Sequence, residues 1–253
     1  MKSKTGFYRR SVLNEYKKKD TMENKKKEQR RYLHTCEFIG SMFLVIAAIS
    51  PMILFLEIFN STLAVALVAD ALAVGFVLFA LIEIFGPICT AYFNPAVTFA
   101  LAFNKEIGWV EALRYSFFQI TGGISGVLVA HLMYYDTIPQ LITVSTIPRT
   151  GGAYIAEIIG TFILVLCIMS LVHQKSNRVS LVVGLLVGGM LLSTSSTMFA
   201  NPQVTLARIF TYSAAGIRVI DALIFILLQL FASFLAVLVW KKVIFNCSCK
   251  IMN

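Results

Sequence analysis

Phe93-Asn94-Pro95-Ala96-Val97-Thr98 and Ala200-Asn201-Pro202-Gln203-Val204-Thr205 share the pattern Asn-Pro-x-Val-Thr, 107 residues apart. Each stretch lies within an apolar segment. Proline is tolerated at the first position of a helix, because its missing N–H would be unpaired there. Asparagine is one of the preferred N-cap residues. The two stretches therefore predict two helices that begin at Pro95 and Pro202, with Asn94 and Asn201 as their caps.

Composition indicates a membrane protein. Of the 253 residues, 58% are hydrophobic and only 14% are charged, against about a quarter charged in a typical soluble domain. Residues 1–31 hold 12 of the 22 lysines and arginines and 4 of the 13 acidic residues, so the remaining chain is nearly neutral. A DNA-binding protein needs its basic surface on the folded body, and a disordered chain has low hydrophobicity. Both classes are excluded.

Several charge-free runs approach the 20 or so apolar residues that cross a bilayer. They predict an all-α membrane protein with six transmembrane helices and two re-entrant half-helices, which start near Asn94 and Asn201. The predicted transmembrane helices are 34–56, 62–86, 109–135, 153–174, 179–199 and 218–243.

Basic residues indicate the orientation. They concentrate in the N-terminal tail, at Lys175 and Arg178, and near Lys241. With an even number of helices these places share one side, which the positive-inside rule makes cytoplasmic. We therefore expect both termini in the cytoplasm and the protein in the plasma membrane. The expected domains are a basic tail (1–32), a membrane domain (33–243) and a C-terminal tail (244–253).

The chain contains an internal repeat, 33–135 and 153–243. Glu37-Phe38-Ile39-Gly40 matches Glu157-Ile158-Ile159-Gly160, and Gln119 matches Gln229. Three helices per repeat is an odd number, so the second repeat is inverted in the membrane. The positive N-terminal ends of both half-helices then meet at the midplane. This arrangement predicts a pore for neutral, hydrogen-bonding solutes with an electrostatic barrier to cations.

Residues 86–97 and 199–208 resemble the paired signatures of the major intrinsic protein family, the aquaporins and glycerol facilitators. The likeness is to a bacterial branch with a non-standard second motif and no filter arginine. It implies the aquaporin architecture, a homotetramer with one pore per subunit, and passive transport without a cofactor. The pore motifs that it implies are Asn94, Pro95 and Ala96, and Asn201, Pro202 and Gln203.

The same resemblance implies roles for other residues. Glu37 and Glu157 would hydrogen-bond the backbone of the re-entrant loops, although an intramembrane carboxylate is also a candidate proton relay. Gln119 and Gln229 would brace those loops. The selectivity filter falls on Val74, Gly189, Met198 and Val204. This ring lacks an aromatic residue, a histidine and an arginine, so it favours neutral solutes such as glycerol, urea or metalloid hydroxides, with water as co-permeant.

Two further features are open in the sequence. Gln203 either protrudes towards the pore or bonds the facing loop. Asp70 lies one turn before Val74, and Arg208 one turn after Val204, so each shares a helix face with a filter position. We hypothesise that Asp70 and Arg208 pair in the outer vestibule; the alternative places Asp70 at a subunit interface.

Other functions compete with this one. They are a mainly water-selective pore, a secondary transporter, which also uses inverted repeats, and a closed scaffold plugged by Gln203. An enzyme is disfavoured, because the three histidines have no second ligand at metal-binding spacing. No metal site, cofactor or nucleic-acid partner is expected.

Overall fold

The computed structural model describes the backbone of residues 4–245 and the side chains of residues 28–243. Within that range the chain forms eight α-helices. They are α1 (Lys4–Met52), α2 (Leu63–Phe85), α3 (Pro95–Phe103), α4 (Trp109–Met133), α5 (Gly152–His173), α6 (Val179–Ser193), α7 (Pro202–Ala207) and α8 (Val219–Val239). Two π-helical turns, Ile53–Ile58 and Trp240–Phe245, extend α1 and α8, and a 3-10 turn, Arg208–Phe210, follows α7.

Five helical segments are long and apolar enough to cross a membrane: Glu28–Ile58, Leu63–Phe85, Trp109–Met133, Gly152–His173 and Val219–Val243. At 1.5 Å per residue, the shortest of them exceeds the roughly 30 Å of a hydrocarbon core. They agree with five of the six predicted spans.

The sixth predicted span, 179–199, is too long. Helix α6 has 15 residues and ends at Ser193. The chain then turns, because Thr197 and Met198 adopt left-handed backbone angles with φ of 60° and 39°. Residues 194–199 therefore belong to the segment that leads into α7 rather than to α6.

The N-terminal tail also differs from expectation, because α1 begins at Lys4 and runs without a break past residue 32. The lysine clusters at 17–19 and 25–27, and the Cys247-Ser-Cys249 pair, lie outside the side chains that the structure describes. Cys36, Cys89 and Cys167 are free thiols.

Packing follows the repeat. Helix α1 packs on α4 and, equivalently, α5 packs on α8, while α2 lies against α6. The half-helices cross over: α3 contacts α8, and α7 contacts α4. Small residues allow these close approaches, since a Cβ at Gly122 would lie 2.2 Å from the Phe38 carbonyl oxygen. The crossover holds the starts of α3 and α7 together at the centre.

Candidate functional site

The two Asn-Pro motifs form one reciprocal unit. Asn94 and Asn201 are the N-caps of α3 and α7, with Pro95 and Pro202 at the first helical positions. Asn94 Oδ1 accepts from the Ala96 N–H at 2.8 Å, and Asn201 Oδ1 accepts from the Gln203 N–H at 3.2 Å. The predicted capping is confirmed.

Each cap also reaches the opposite loop. Asn94 Nδ2 donates to the Ala200 carbonyl at 2.9 Å, and Asn201 Nδ2 donates to the Phe93 carbonyl at 2.9 Å. An amide nitrogen carries two hydrogens, and this bond uses one of them. The two half-helices are therefore cross-linked, and each asparagine keeps a second N–H for another acceptor.

The loops before the motifs have an unusual backbone. Ala91 and Phe93 precede the first motif, and Thr197, Met198 and Ala200 precede the second; all five have positive φ. Such conformations cost about 1–3 kcal/mol each and persist only where the surroundings impose them. Two buried carboxylates provide that constraint.

Glu37 holds the first loop. Its carboxylate accepts from the N–H groups of Tyr92 and Phe93, both at 2.8 Å, and from Thr90 Oγ1 at 2.6 Å. Gln119 Nε2 donates to the same carboxylate at 2.7 Å and to Thr98 Oγ1 at 3.0 Å. The contacts that the resemblance implied for Glu37 and Gln119 are thus present.

Glu157 holds the second loop in the same way. Its carboxylate accepts from the N–H groups of Phe199 and Ala200, both at 2.9 Å. Gln229 Nε2 donates to it at 2.6 Å and to Thr205 Oγ1 at 2.9 Å. Both glutamates are fully buried and have their hydrogen-bonding capacity directed at the loops.

A cavity of about 270 Å³ passes the two asparagines. Most of its wall is aliphatic, and Asn94, Asn201 and the residues of both left-handed loops interrupt that wall. The aliphatic lining comes from Leu44, Val74, Leu78, Ile82, Val97, Leu164, Ile168, Val172, Val179, Val183, Val187, Leu191 and Val204. The result is an apolar space with a short polar track.

Residues 23–200 match the family model described as Major intrinsic protein. The chain belongs to this family. It is 35% identical over 195 residues to aquaglyceroporin AqpS of Rhizobium meliloti, covering 77% of this chain and 82% of that one. It is also 35% identical over 124 residues to the glycerol uptake facilitator protein of Bacillus subtilis, but spans only 45% of that relative.

The fold agrees with the family. The aquaglyceroporin of Plasmodium falciparum superposes with a TM-score of 0.68 at 20% identity, covering 84% of this chain and 96% of that structure. The predicted aquaporin fold of six membrane-embedded helices and two half-helices is thereby confirmed, with α6 as the short member.

Three of the four residues predicted for the selectivity filter are found in the cavity lining. Val74, Met198 and Val204 line the cavity, but Gly189 does not. On α6 the cavity is lined by Val183, Val187 and Leu191, which share one face at a spacing of four residues. Gly189 lies two residues from Val187, about 200° around the helix, and is exposed on the outer side.

Because Val187 lines the cavity and Gly189 does not, we predict different effects of substitutions at these two positions on α6. We expect Val187→Phe to lower glycerol uptake by about tenfold, equivalent to roughly 1.4 kcal/mol in the barrier, because the ring would occupy the cavity. Gly189→Leu should leave uptake unchanged, since a Cβ there meets nothing within 4 Å. Stopped-flow light scattering on proteoliposomes measures both. The reverse order of effects would place Gly189 in the filter.

The Gln203 side chain is turned away from the cavity. It is fully buried, and Nε2 donates to the Phe93 carbonyl at 3.4 Å. Its Oε1 approaches α4, where a Cβ at Gly123 would lie 2.1 Å from it. Of the two orientations that the sequence left open, the structure has the bond to the facing loop, which removes the basis for a Gln203 plug.

Asp70 and Arg208 are brought together. Arg208 Nη2 lies 3.6 Å from Asp70 Oδ2, and the two side chains are 3% and 1% exposed, respectively. Arg208 lines the cavity, whereas Asp70 is buried behind it inside the subunit. The predicted contact is present, but the pair is enclosed rather than spread over an open vestibule.

Arg149 lies near the Asp70–Arg208 pair, and it was not singled out from the sequence. Its Nη2 donates to the Ala214 carbonyl at 3.0 Å and its Nε to the Gly216 carbonyl at 3.3 Å. Its guanidinium lies 5.5 Å from the centroid of the Phe199 ring. Burial, and next the charge of Arg208, lower the pKa of Arg149 to about 10, so it remains protonated at neutral pH. The available signal was its isolation, since no other lysine or arginine occurs between Arg114 and Lys175.

Proposed function

We propose that the protein is a passive channel for water and small neutral solutes of the glycerol, urea or metalloid hydroxide type, which move along their gradients. The observation that carries this function is the apolar cavity that passes Asn94 and Asn201. Aliphatic walls suit the carbon skeleton of a polyol, and the second N–H of each asparagine replaces a hydrogen bond to water. The relatives named above, an aquaglyceroporin and a glycerol uptake facilitator, support the same solute class.

The polar track explains how a solute stays hydrogen-bonded. The N–H groups of Tyr92, Phe93, Phe199 and Ala200 are taken up by the two glutamates. The Phe93 and Ala200 carbonyls already accept from side-chain amides, so the other carbonyls of the two loops are the acceptors that we expect to serve solute hydroxyls. The asparagines supply donors and the loops supply acceptors within an otherwise apolar wall. A neutral solute therefore regains in the pore some of the hydrogen bonds that it loses when it leaves water.

A secondary transporter is the weaker candidate. It needs an ionisable coupling group on the solute path. Glu37 and Glu157 are engaged by loop N–H groups and are absent from the described cavity lining. Asp70 is paired with Arg208, and Glu83 is an exposed residue that accepts a hydrogen bond from Ser180 Oγ. A channel that follows the solute gradient fits these positions better.

We further infer a homotetramer in the plasma membrane with both termini in the cytoplasm. The channel domain would comprise residues 33–243, with basic residues 1–32 and residues 244–253 on the cytoplasmic side. Large apolar side chains are exposed along the outer faces of the spanning helices, among them Phe76, Phe117, Leu185 and Leu227. Such faces suit lipid and neighbouring subunits.

The decisive experiment is stopped-flow light scattering on proteoliposomes of the purified protein. We expect osmotic water flow, and uptake of glycerol and urea, well above those of empty vesicles and of vesicles carrying Val187→Phe. Uptake should be the same with and without a proton gradient, since the described cavity lining contains no carboxylate. Water flow without solute uptake would support a water-selective pore. Gradient-dependent uptake would support the transporter, and no flux at all would contradict the channel.

A further inference from the structure

The outer part of the cavity contains a fixed positive charge. Among the described side chains, Arg208 is the one charged residue of the cavity lining. It follows Val204 by four residues, so it lies one helical turn beyond the apolar ring of Val74, Met198 and Val204. A solute that crosses this ring therefore also passes the guanidinium.

Three structural elements hold that guanidinium in position. Nη2 of Arg208 donates to the Ala48 carbonyl of α1 at 2.7 Å. The Asp70 carboxylate of α2 lies 3.6 Å away. The Phe199 ring, from the second re-entrant loop, has its centroid 4.2 Å from the Arg208 Cζ atom, within the range of a cation–π contact. A side chain tied to three elements cannot swing out of the path.

The hydrogen-bonding capacity of this group is only partly used. Arginine carries five N–H donors, and Nε of Arg208 is buried without a partner among the described groups. Neither oxygen of Asp70 accepts a hydrogen bond from those groups. Buried polar groups normally have partners. Arg208 lines the cavity, so its remaining N–H donors are left for water or for a solute hydroxyl, whereas the Asp70 oxygens behind it are left for an ordered water.

The local charges balance in number, two arginines against two carboxylates, but not in position: Arg208 is in the described cavity lining, whereas Arg149, Asp70 and Glu157 are not. Arg208 and Arg149 both act on Asp70 through their charge. Asp70 offsets one of them, and the charge of Arg149 is held by the carbonyls of Ala214 and Gly216. Glu157, which also acts on Arg208, has its carboxylate occupied by loop N–H groups. A cation at the outer ring therefore meets a desolvated positive group in a medium of low dielectric constant.

We propose that Arg208 is the specificity-determining residue of the outer pore, excluding cations and donating hydrogen bonds to neutral solutes, with Asp70 as its positioning residue. This assignment rests on the proposed channel function. The charge is supplied from one turn beyond the ring rather than from within it. The ring itself is apolar, while the selection against cations takes place next to it.

The test is a double-mutant cycle that keeps side-chain size nearly constant: Arg208→Gln, Asp70→Asn and the double variant, with Arg218→Gln as the matched arginine control. Arg218 is 43% exposed and pairs with Asp221, so its charge lies outside the pore. Potassium leak is measured from a diffusion potential in proteoliposomes, and glycerol uptake is measured by light scattering on the same vesicles.

We expect Arg208→Gln to raise potassium leak at least about tenfold, because it replaces a positive barrier with the unpaired Asp70 carboxylate. Asp70→Asn keeps the positive charge of Arg208 but loses its positioning, so it should exclude potassium and take up glycerol more slowly than the wild type. Arg218→Gln should match the wild type in both measurements. The double variant should leak less than Arg208→Gln, since it carries neither charge, but more than the wild type. Glycerol uptake above that of empty vesicles shows that each variant has an open pore.

An Arg208→Gln variant that takes up glycerol and excludes potassium as the wild type does would overturn the proposal. If that variant fails to fold because Asp70 is left unpaired, the double variant decides: wild-type exclusion overturns the proposal, and increased leak supports it. A wild-type protein that takes up no solute would instead contradict the channel function itself, so the two failures are separable.

Discussion

Glu157→Gln is expected to abolish solute uptake and to lower the free energy of unfolding by about 3 to 5 kcal/mol. The carboxylate accepts hydrogen bonds from the Phe199 N–H, the Ala200 N–H and Gln229 Nε2. Hydrogen bonds to a charged group contribute about 1.5–3 kcal/mol each. A glutamine at this position presents an NH₂ group where the loop also presents donors, so at least one buried N–H loses its acceptor.

The consequence for the pore follows from the loop conformation. Met198 and Ala200 hold positive φ, and without the carboxylate they would relax towards ordinary backbone angles. The Ala200 carbonyl would then leave Asn94, and the link between the two half-helices would be lost. Thermal unfolding in detergent measures the stability change, and stopped-flow light scattering measures the flux.

The matched control is Glu57→Gln, which neutralises an exposed carboxylate at the end of the first membrane segment. It should change neither the unfolding temperature nor the flux appreciably, as expected for a surface substitution. Glu37→Gln should have the same effects as Glu157→Gln, because the Glu37 carboxylate accepts hydrogen bonds from N–H groups of the first loop. A Glu157→Gln protein with wild-type stability and flux would show that the loop conformation does not depend on this carboxylate.

Gly122→Ala is expected to prevent stable folding or to destabilise the protein by at least about 1–3 kcal/mol, the usual cost of overpacking a core. The new Cβ would lie 2.2 Å from the Phe38 carbonyl oxygen. That atom belongs to the backbone of α1, so no rotamer change relieves the clash. Helices α1 and α4 would have to separate along the face that also positions Glu37 and Gln119.

Two other glycines make a graded series with Gly122. A Cβ at Gly123 meets the end of the Gln203 side chain, which can shift, so Gly123→Ala should be milder. A Cβ at Gly189 meets nothing within 4 Å, so Gly189→Ala should be neutral or stabilise by about 0.4–1 kcal/mol. Unfolding temperatures in one detergent give the order. A Gly122→Ala protein as stable as Gly189→Ala would contradict the close α1–α4 packing.

Much of the fold was predictable from local patterns. Apolar runs of membrane length placed four spans to within two residues of their observed ends, and placed the end, though not the start, of the first. Cap chemistry placed the starts of α3 and α7, since Asn-Pro allows few alternatives. The end of α6 was misjudged because residues 179–199 carry no charge, although the run from Ser193 to Thr197 consists of serine and threonine. Such side chains compete with helical hydrogen bonding, and α6 stops where this run begins.

Some residues of the candidate site were also predictable from the sequence, and others were not. Glu37, Glu157, Gln119 and Gln229 stood out because polar residues within apolar spans need partners. The cavity lining on α6 was harder to predict, because a difference of two residues, as between Val187 and Gly189, moves a side chain about 200° around the helix. The orientation of Gln203 depends on the space beside Gly123, which lies 80 residues earlier in the chain.

By itself, the sequence determined the membrane class, the inverted repeat, the two capped half-helices and the buried polar residues. These features follow from hydropathy, cap chemistry and the cost of unpaired polar groups, which act over a few turns of chain. Only the tertiary structure decided which face of α6 lines the cavity, where Gln203 points, and that Arg149 joins Arg208 and Asp70 around Phe199. Those outcomes depend on contacts between elements far apart in the chain, where packing selects one arrangement among several that the local sequence allows.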